Sequence, residues 1–285
     1  MDWIAGKHVL ITGPTSGIGR QIAIELGRLG AHLVLACRDE AKGRAVARAI
    51  AADRKAGDVH VAGDVDVLQV DVSSRQSVQT FVAAYDARHP PVDVLVNNAG
   101  TVQGERRESV DGIELTFATN VLGYHRVTCG LLDRFNTAGA PRIVVVASAF
   151  AGDLDLADLE FKQRPYDGLL AYRQSKACDR LWSWAMARRL QPSGITVNAM
   201  TPGWVPDTEL SRNLLPEVRQ ARSRPGRTVA QGADTAVWLA AAPDVAGVTA
   251  RFYADRREAP CEFRDHDTEE RLWRICEDFV SRTPR

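Results

Sequence analysis

The chain alternates between short apolar runs and longer segments in which apolar residues recur every three or four positions. Residues 94–96 and 143–147 are continuously apolar, which indicates strands buried on both faces, as in a parallel sheet between two helix layers. In residues 17–29, Ile22 and Leu26 instead share one face of a helix. The pattern predicts strands near residues 8–12, 32–37, 67–71, 92–97, 142–148, 195–200 and 248–253. It predicts helices over residues 17–29, 40–56, 75–88, 107–136, 170–191, 229–242 and 268–281.

This alternation is typical of an α/β fold. It predicts a single Rossmann-type domain over residues 1–285, a doubly wound parallel sheet of about seven strands with helices on both faces. Two long connections follow strand ends, at residues 149–169 and 203–227, and we predict that they form lid-like loops over the ligand-binding edge of the sheet. The alternative is that their apolar side chains only pad that edge. Residues 254–285 form a C-terminal extension.

Composition narrows the class of protein. Hydrophobic residues make up 45% of the chain, charged residues make up 25% and the formal net charge is zero, so no basic field indicates a nucleic acid or an anionic membrane as partner. The five cysteines lack a C-x-x-C pair, which argues against a disulfide framework or a zinc site and favours a reducing cytosol. No window approaches the roughly 18 apolar residues of a membrane span, and the first strand begins too early to leave room for a signal peptide. We expect a soluble, cytoplasmic protein that holds no metal.

A glycine-rich turn joins the first predicted strand to the first predicted helix. It reads Gly13-Pro14-Thr15-Ser16-Gly17-Ile18-Gly19. In this context glycines let the backbone approach a pyrophosphate, and the free N–H groups and dipole of the helix N-terminus favour its negative charge. The spacing G-x-x-x-G-x-G differs from the generic G-x-G-x-x-G fingerprint. The alternative is therefore a plain turn between a strand and a helix.

Tyr172 and Lys176 lie four residues apart in the helix predicted over residues 170–191, so both side chains can reach one site. A free phenol has a pKa of about 10. A nearby ammonium group favours the phenolate and lowers that pKa toward neutral pH, where proton transfer is most effective. The alternative is a chance pair on a solvated helix face. We interpret Tyr166 as a wall residue of the lid and His125 as a surface or subunit-interface residue.

Together, Thr12-Gly13-x-x-x-Gly17-Ile18-Gly19 and Tyr172-x-x-x-Lys176 resemble the short-chain dehydrogenase/reductase family. Within this family, the run at residues 35–39, the long gap from Ser148 to Tyr172 and the tail Arg271-Leu272-Trp273 resemble the branch of retinol dehydrogenases and their bacterial relatives. Further segments that fit the family in chain order are Asp71-Val72, Asn97-Asn98-Ala99-Gly100, Thr119-Asn120-Val121, Ser148 and Pro202-Gly203.

The resemblance implies a nicotinamide cofactor and four catalytic residues. Tyr172 would protonate a carbonyl oxygen, and Lys176 would lower the pKa of that phenol and bind the nicotinamide ribose. Ser148 would polarise the carbonyl, and Asn120 would hold a water that relays protons to Lys176. The alternatives are a strand-end turn residue for Ser148 and a side-chain hydrogen bond to backbone for Asn120.

The cofactor-binding residues that the resemblance implies extend from the glycine turn to residue 208. In relatives the threonine that approaches the carboxamide stands one residue closer to the Pro-Gly pair than Thr208 does. The implied set is Thr12, Gly13, Thr15, Ser16, Gly17, Ile18, Gly19, Arg38, Asp71, Val72, Asn98, Ala99, Gly100, Tyr172, Lys176, Pro202, Gly203, Val205 and Thr208.

Residues 37–39 favour NADP(H) as the cofactor. A carboxylate about 20 residues after the glycines would accept the ribose 2′-OH of NAD. Cys37 stands at that position, and Arg38 beside it can pair with a 2′-phosphate. Asp39 competes with this interpretation, but we interpret it as the cap of the next helix. Against NADP, Ser16 stands where many relatives place a basic residue.

The expected function is that of an NADPH-dependent ketone or aldehyde reductase whose small-molecule substrate is lipophilic, polycyclic or polyketide-like. One alternative is an NAD(P)-dependent alcohol dehydrogenase that works in the oxidative direction. Another is a nucleotide-sensing relative without catalysis. A homodimer and a monomer are both compatible with the sequence.

Overall fold

Within the described residues, eight strands form one sheet. The structure, a computed structural model, describes residues 2–56, 63–210 and 226–281. The first seven strands are parallel to their neighbours, and the last is antiparallel to the seventh; their order across the sheet is β3-β2-β1-β4-β5-β6-β7-β8. The strands are β1 His8–Thr12, β2 His32–Cys37, β3 Val65–Gln69, β4 Val94–Asn97, β5 Arg142–Val146, β6 Thr196–Met200, β7 Arg251–Ala254 and β8 Arg257–Glu258.

Helices cover both faces of this sheet. One long helix was predicted over residues 107–136. This segment instead contains one short helix before and one after a π-helical stretch, Ala118–Leu122. The helices are α1 Gly17–Arg28, α2 Glu40–Ala56, α3 Arg75–Arg88, α4 Leu115–Phe117, α5 Gly123–Gly130, α6 Gly168–Leu190, α7 Val229–Ala241 and α8 His266–Ser281.

The two helix layers follow from the period-two pattern of the strands. In β1, Leu10 points into the core beneath α3, α5, α6 and α8, whereas Val9 and Ile11 point into the core beneath α1, α2 and α7. Both faces of the central strands are buried, as their continuous apolar runs predict. The predicted doubly wound α/β fold is therefore confirmed.

The predicted count of about seven strands is wrong by one. β8 has two residues, and its pairing places Tyr253 opposite Glu258. Asp255 and Arg256 turn the chain with left-handed φ angles of 53° and 57°. Two positive φ angles are characteristic of the tight hairpin turn between antiparallel strands. β8 carries no apolar alternation, so hydrophobic patterning could not reveal it.

The helix predicted over residues 107–136 is wrong at its start and at its end, because α5 stops at Gly130. Residues 107–114 form a turn instead, in which Ser109 N–H donates to Ile113 O at 2.8 Å and Gly112 has a φ of 72°. Glu114 then caps α4, because its two carboxylate oxygens accept from the N–H groups of Thr116 and Phe117 at 2.9 and 2.7 Å. A carboxylate at this position satisfies otherwise unpaired helix donors, so the helix begins there.

The C-terminal extension packs α8 along α6. Arg188 pairs with Glu269, and the Arg189 guanidinium lies 4.0 Å from the centre of the Trp273 ring. The Trp184 indole donates to the backbone oxygen of Phe263 at 2.8 Å. Within this chain α8 therefore covers one side of α6.

His125 and Trp182 lie inside this helix layer. The indole of Trp182 donates to Nδ1 of His125 at 3.2 Å, and both side chains are fully buried. Burial lowers the pKa of His125 to about 4, so the ring is neutral at physiological pH. The interpretation of His125 as a surface or interface residue is wrong, because the packed α8 encloses it.

Candidate active site

The glycine turn between β1 and α1 brings three backbone segments into close contact. Gly13 has a φ of 66°, and a Cβ there would lie 2.8 Å from Cα of Ala99. A Cβ on Gly19 would collide with the backbone oxygen of Gly13 and the side chain of Asn98. Only residues without side chains fit this concave backbone, which leaves room for a ligand in front of the helix N-terminus.

Thr12 and Asn98 hold the turn from behind. The hydroxyl of Thr12 accepts from the N–H groups of Asn98 and Ala99 at 3.0 and 3.1 Å. The amide of Asn98 donates back to the oxygens of Thr12 and Gly13 at 2.9 and 3.0 Å. These bonds tie the end of β1 to the end of β4, where the strand order reverses and open α/β sheets bind their ligands.

A cavity of about 630 Å³ opens at this edge of the sheet. It runs from the end of β2 to the start of α6. Thr12, Asn120 and Asn97 do not line it; the Asn97 amide is buried and donates to Thr128 Oγ1 at 2.9 Å. Of the residues predicted from the sequence, the cavity is lined by Gly13, Thr15, Ser16, Gly17, Ile18, Gly19, Arg38, Asp71, Val72, Asn98, Ala99, Gly100, Ser148, Tyr172, Lys176, Pro202, Gly203, Val205 and Thr208.

Two cations stand at the β2 end of the cavity. Arg38 and Lys42 are both exposed and both line it, and neither side chain has a carboxylate within ion-pair distance in the described part of the chain. Asp39 also lines this end, but its Oδ1 accepts from the Lys42 backbone N–H at 3.0 Å, so it caps α2 as predicted. Cys37 is buried, and burial raises the pKa of its thiol to about 11. This end of the cavity suits a dianionic group.

Tyr172 and Lys176 lie at the opposite end of the cavity, on α6. Asp167 begins this helix, since its carboxylate accepts from the N–H groups of Leu169 and Leu170 at 2.8 and 3.0 Å. The Lys176 ammonium lies 5.9 Å from the centre of the Tyr172 ring. The helix therefore brings the phenol and the ammonium to one site, as their spacing predicts.

Ser148 follows β5 and faces the same cavity. Its Oγ accepts from the N–H of Phe150 at 2.9 Å, which is the hydrogen bond of a strand-end turn residue. An oxygen that accepts from one N–H still carries its own O–H donor. The turn role and the predicted role of Ser148 as a donor to substrate are therefore compatible.

Asn120 stands behind the cavity in the π-helical stretch. Its Oδ1 accepts from Thr101 N–H at 2.8 Å, and its amide donates to Thr101 O at 3.0 Å and to Ser175 Oγ at 2.9 Å. The side chain thus makes the backbone hydrogen bonds of the alternative interpretation and links the β4 loop to α6. A water relay from Asn120 to Lys176 stays a prediction.

The phenol end of the cavity is apolar. Tyr172 packs in a cluster with Val102, Phe150, Leu169, Trp204 and Leu210, separate from the two cores beneath the helices. Other apolar residues of the loop at 149–169 instead pad the core: Leu159 and Phe161 are buried, and Leu154 and Leu156 pack on the core beneath α6.

Other parts of the predicted lids lie elsewhere. Tyr166 does not line the cavity; its hydroxyl donates to Glu114 Oε1 at 3.1 Å and ties the loop at 149–169 to the start of α4. Leu214 and Leu215 of the second predicted lid lie outside the described residues.

His125, Cys129 and Glu277 place three possible metal-ligand atoms within 4.8 Å of one another. Both ring nitrogens of His125 are already engaged, because Nδ1 accepts from Trp182 and Nε2 lies 2.8 Å from a Glu277 oxygen. A metal at Nε2 needs a proton on Nδ1, and the Trp182 N–H points at that nitrogen. This arrangement favours a structural histidine.

Sequence reasoning missed two charged residues near the cavity. Lys42 lies in the first turn of α2, four positions after Arg38 in the sequence, so its closeness to Arg38 along the chain carried a usable signal. Asp179 follows Lys176 by three positions, and its Oδ2 lies 2.7 Å from Nζ of Lys176. Lys42 adds a positive charge at the β2 end of the cavity, and Asp179 places a carboxylate beside Lys176.

The residues present fit a dinucleotide. The glycine turn leaves a concave backbone that a Cβ would fill, two exposed cations stand at one end of the cavity, and a phenol stands among apolar side chains at the other. This combination defines the class of nicotinamide-dependent oxidoreductases.

The comparisons with known proteins agree with this class. The sequence model of the short chain dehydrogenase family matches residues 7–219. Human retinol dehydrogenase 14 is 35% identical over 292 residues, which cover 96% of this chain and 86% of that protein. A Streptomyces antibioticus protein described as an oxidoreductase is 37% identical over 270 residues, 90% of this chain and 87% of that protein. A crystal structure from Mycobacterium paratuberculosis superposes with a TM-score of 0.75 at 29% identity, covering 99% of this chain and 96% of that one.

The chain belongs to the short-chain dehydrogenase/reductase family and resembles its retinol dehydrogenase branch. It is an oxidoreductase that acts on CH–OH or C=O groups of a small molecule, and its fold implies a nicotinamide cofactor. No helix in the described ranges combines the length and apolar character that crossing a membrane requires.

Proposed function

We propose that this protein is an NADPH-dependent reductase of lipophilic ketones or aldehydes, with Tyr172 as the general acid. The observation that carries the proposal is the arrangement of one cavity. Two cations that have no carboxylate partner among the described residues stand at one end, and a phenol within an apolar cluster stands at the other. The two ends match the two chemical requirements of the reaction, which are a phosphorylated dinucleotide and a carbonyl that must be protonated.

The cations at residues 38 and 42 support NADPH. The ribose 2′-phosphate of NADP is a dianion, and a guanidinium binds such a group through two charge-assisted hydrogen bonds. The ammonium of Lys42 adds a second positive charge at the same end of the cavity. An NAD-specific site would place a carboxylate at the end of β2, where this chain has Cys37.

The residues of the chain divide the proton chemistry among them. When bound, the nicotinamide supplies the hydride that the carbonyl carbon accepts. Tyr172 donates its phenolic proton to the carbonyl oxygen, and Ser148 donates a hydrogen bond to the same oxygen. The Lys176 ammonium stabilises the phenolate that remains. The apolar cluster excludes water, which strengthens each of these interactions.

The apolar cluster supports a lipophilic substrate. Val102, Phe150 and Trp204 surround Tyr172 and line the cavity. Apolar walls favour a substrate in proportion to the apolar area that binding removes from water. Retinol, which appears in the name of the human relative, is a lipophilic alcohol. A polycyclic or polyketide-like carbonyl compound has the same character.

A screen of purified protein tests this function. Depletion of NADPH is followed with aromatic ketones, steroids, retinal and quinones, with short aliphatic ketones as the polar comparison. We expect turnover with a lipophilic carbonyl compound and a clear preference for NADPH over NADH. Faster oxidation of an alcohol with NAD⁺ would support the dehydrogenase alternative. NADPH binding without turnover of any compound would support a non-catalytic relative.

Trp204→Ala tests the substrate end of the cavity. Removing the indole from the apolar cluster should raise KM for the lipophilic carbonyl substrate about tenfold, because burying a large apolar side chain contributes roughly 1.5–3 kcal/mol. The KM for NADPH should change little. Trp238→Ala, on α7 against the opposite core, is the control and should leave both constants nearly unaltered. An equal rise of KM for short and lipophilic substrates would contradict this role of Trp204.

We further propose that the protein works as a monomer in the cytoplasm. Its α8 covers the side of α6 that would otherwise be open to a second subunit. All five cysteines are free, which suits a reducing compartment. Light scattering on the purified protein should give the mass of one chain, and a dimer mass would overturn this part of the proposal. Cell fractionation tests the location.

A further inference from the structure

Lys176 is paired with a buried carboxylate that the proposed chemistry does not require. Its Nζ lies 2.7 Å from Oδ2 of Asp179 and donates to the backbone oxygen of Val146 at 3.1 Å. The two side chains expose only 4% and 1% of their surface. Charges this deeply buried are stable only when they are paired and hydrogen-bonded. The ammonium thus has a fixed position, set by β5 on one side and by Asp179 on the other.

The carboxylate of Asp179 has few other partners. Among the described residues its Oδ1 makes no hydrogen bond, although it is buried. Burial raises the pKa of Asp179 to about 6, and the nearby Lys176 and Arg180 oppose that rise. Burial lowers the pKa of Lys176, but Asp179 outweighs it together with two nearby phenols, so the pKa is raised overall. At neutral pH both groups carry their charges.

Four further titratable groups and one permanent cation surround this pair. The ring centres of Tyr124 and Tyr172 lie 5.5 and 5.9 Å from the Lys176 ammonium. The neighbouring thiols are Cys178 on α6 and Cys276 on α8, and burial raises the pKa of each, so both are neutral. The guanidinium of Arg180 donates to the backbone oxygen of Ser148 and lies 4.0 Å from the centre of the Phe252 ring. The ionised carboxylate of Asp179 is therefore the nearby negative charge that faces Lys176.

We propose that Asp179 is a positioning residue of the active site, which holds the Lys176 ammonium in place and offsets its positive charge, so that it sets the pH at which Tyr172 exchanges its proton. The inference rests on the proposed function of Tyr172. It adds a carboxylate that acts on Tyr172 through Lys176. Without Asp179 the full charge of Lys176 would act on the phenol. With Asp179 in place, the carboxylate offsets that charge at the phenol.

Helix geometry sets the size of the effect. Tyr172 and Asp179 are seven residues apart, so they share a helix face at a separation of about 10 Å. A unit charge at this distance in the effective dielectric of a protein shifts a titration by about one pH unit. Removing the carboxylate charge should therefore move the ionisation of Tyr172 to lower pH by about that amount.

The first experiment compares Asp179→Asn with the wild-type enzyme. The pH dependence of alcohol oxidation with NADP⁺ reports the ionisation of the group that accepts the proton. In the variant the rising limb should move about one pH unit toward acid, because the phenolate is favoured. Asp133→Asn, which removes an exposed carboxylate outside the cavity, should leave the limb in place. A folded Asp179→Asn enzyme with an unshifted limb would overturn the proposal.

A second experiment needs no activity and separates this inference from the proposed function. Lys176→Met leaves the carboxylate of Asp179 buried without its partner. The melting temperature of this variant should therefore fall steeply as the pH rises from about 5 to 8 and the carboxylate ionises. Adding Asp179→Asn to that variant should remove most of this pH dependence and raise the melting temperature at pH 8 by about 5 °C or more. An identical pH dependence in the single and the double variant would overturn the ion pair itself. If wild-type protein reduces no carbonyl compound, the proposed function fails while this comparison still tests the pair.

Discussion

Tyr172→Phe should lower kcat for carbonyl reduction by about three orders of magnitude or more, while the dissociation constant for NADPH stays within about twofold. General acid catalysis by a positioned side chain contributes roughly 10² to 10⁴ in rate, and the phenol is the proton donor proposed at the apolar end of the cavity. The substitution removes one oxygen and keeps the ring that packs against Val102 and Trp204. Steady-state kinetics and a fluorescence titration with NADPH measure the two effects separately.

Tyr166→Phe is the matched control for this experiment. Tyr166 is a partly buried tyrosine near the site, but its hydroxyl donates to Glu114 and does not reach the cavity. The control should lose about 1 kcal/mol of stability, the usual net contribution of one hydrogen bond, and keep its kcat. Full activity in Tyr172→Phe, or equal losses in both variants, would remove Tyr172 from the reaction.

The sequence was a good guide to the elements that hydrophobic burial determines. β2, α2 and α3 begin and end at the predicted residues, 32–37, 40–56 and 75–88. Their bounds follow from local signals, such as the apolar run of β2 and the cap that Ser74 provides for α3 by accepting from Ser77 N–H at 3.3 Å. Where a strand or helix is specified by its own residues, the pattern identifies both its type and its ends.

The errors fall where contacts from distant segments decide the structure. The start of α4 depends on the buried carboxylate of Glu114, which also receives a hydrogen bond from Tyr166, more than 50 residues away in the chain. His125 was predicted at the surface or at a subunit interface. It is buried because α8 folds back over α5 and α6. Periodicity along one segment contains no information about which other segment will cover it.

In the candidate site, too, the sequence predicted what depends on local geometry and missed what depends on distant contacts. The i, i+4 spacing of Tyr172 and Lys176 placed both side chains at one cavity, because helix geometry is a local property. The spacing of Lys176 and Asp179 is equally visible, but an acid and a base three residues apart are common on solvated helices. The pair gains chemical significance through its burial, and burial depends on β5 and the surrounding helices.

Arg38→Ala should remove most of the preference for NADPH over NADH. Hydrogen bonds to charged groups contribute about 1.5–3 kcal/mol, so losing the guanidinium should lower kcat/KM for NADPH roughly 10- to 100-fold. The value for NADH should change by less than about threefold, because its ribose lacks the phosphate. The ratio of kcat/KM for the two cofactors measures the change directly and cancels any general loss of active protein.

Two matched variants on α2 show whether the effect is specific to the β2 end of the cavity. Lys42→Ala should give a smaller loss with NADPH, since an ammonium acts as a point charge without the two-pronged geometry of a guanidinium. Arg44→Ala removes another exposed cation that is already paired with Glu40 and does not line the cavity, so the cofactor ratio should not change. Rising salt should weaken NADPH binding in the wild type more than in Arg38→Ala, because salt screens the attraction between exposed charges. If the wild type prefers NADH, or if Arg38→Ala and Arg44→Ala behave alike, the two cations do not select the cofactor, and the reductive direction loses its main physical support.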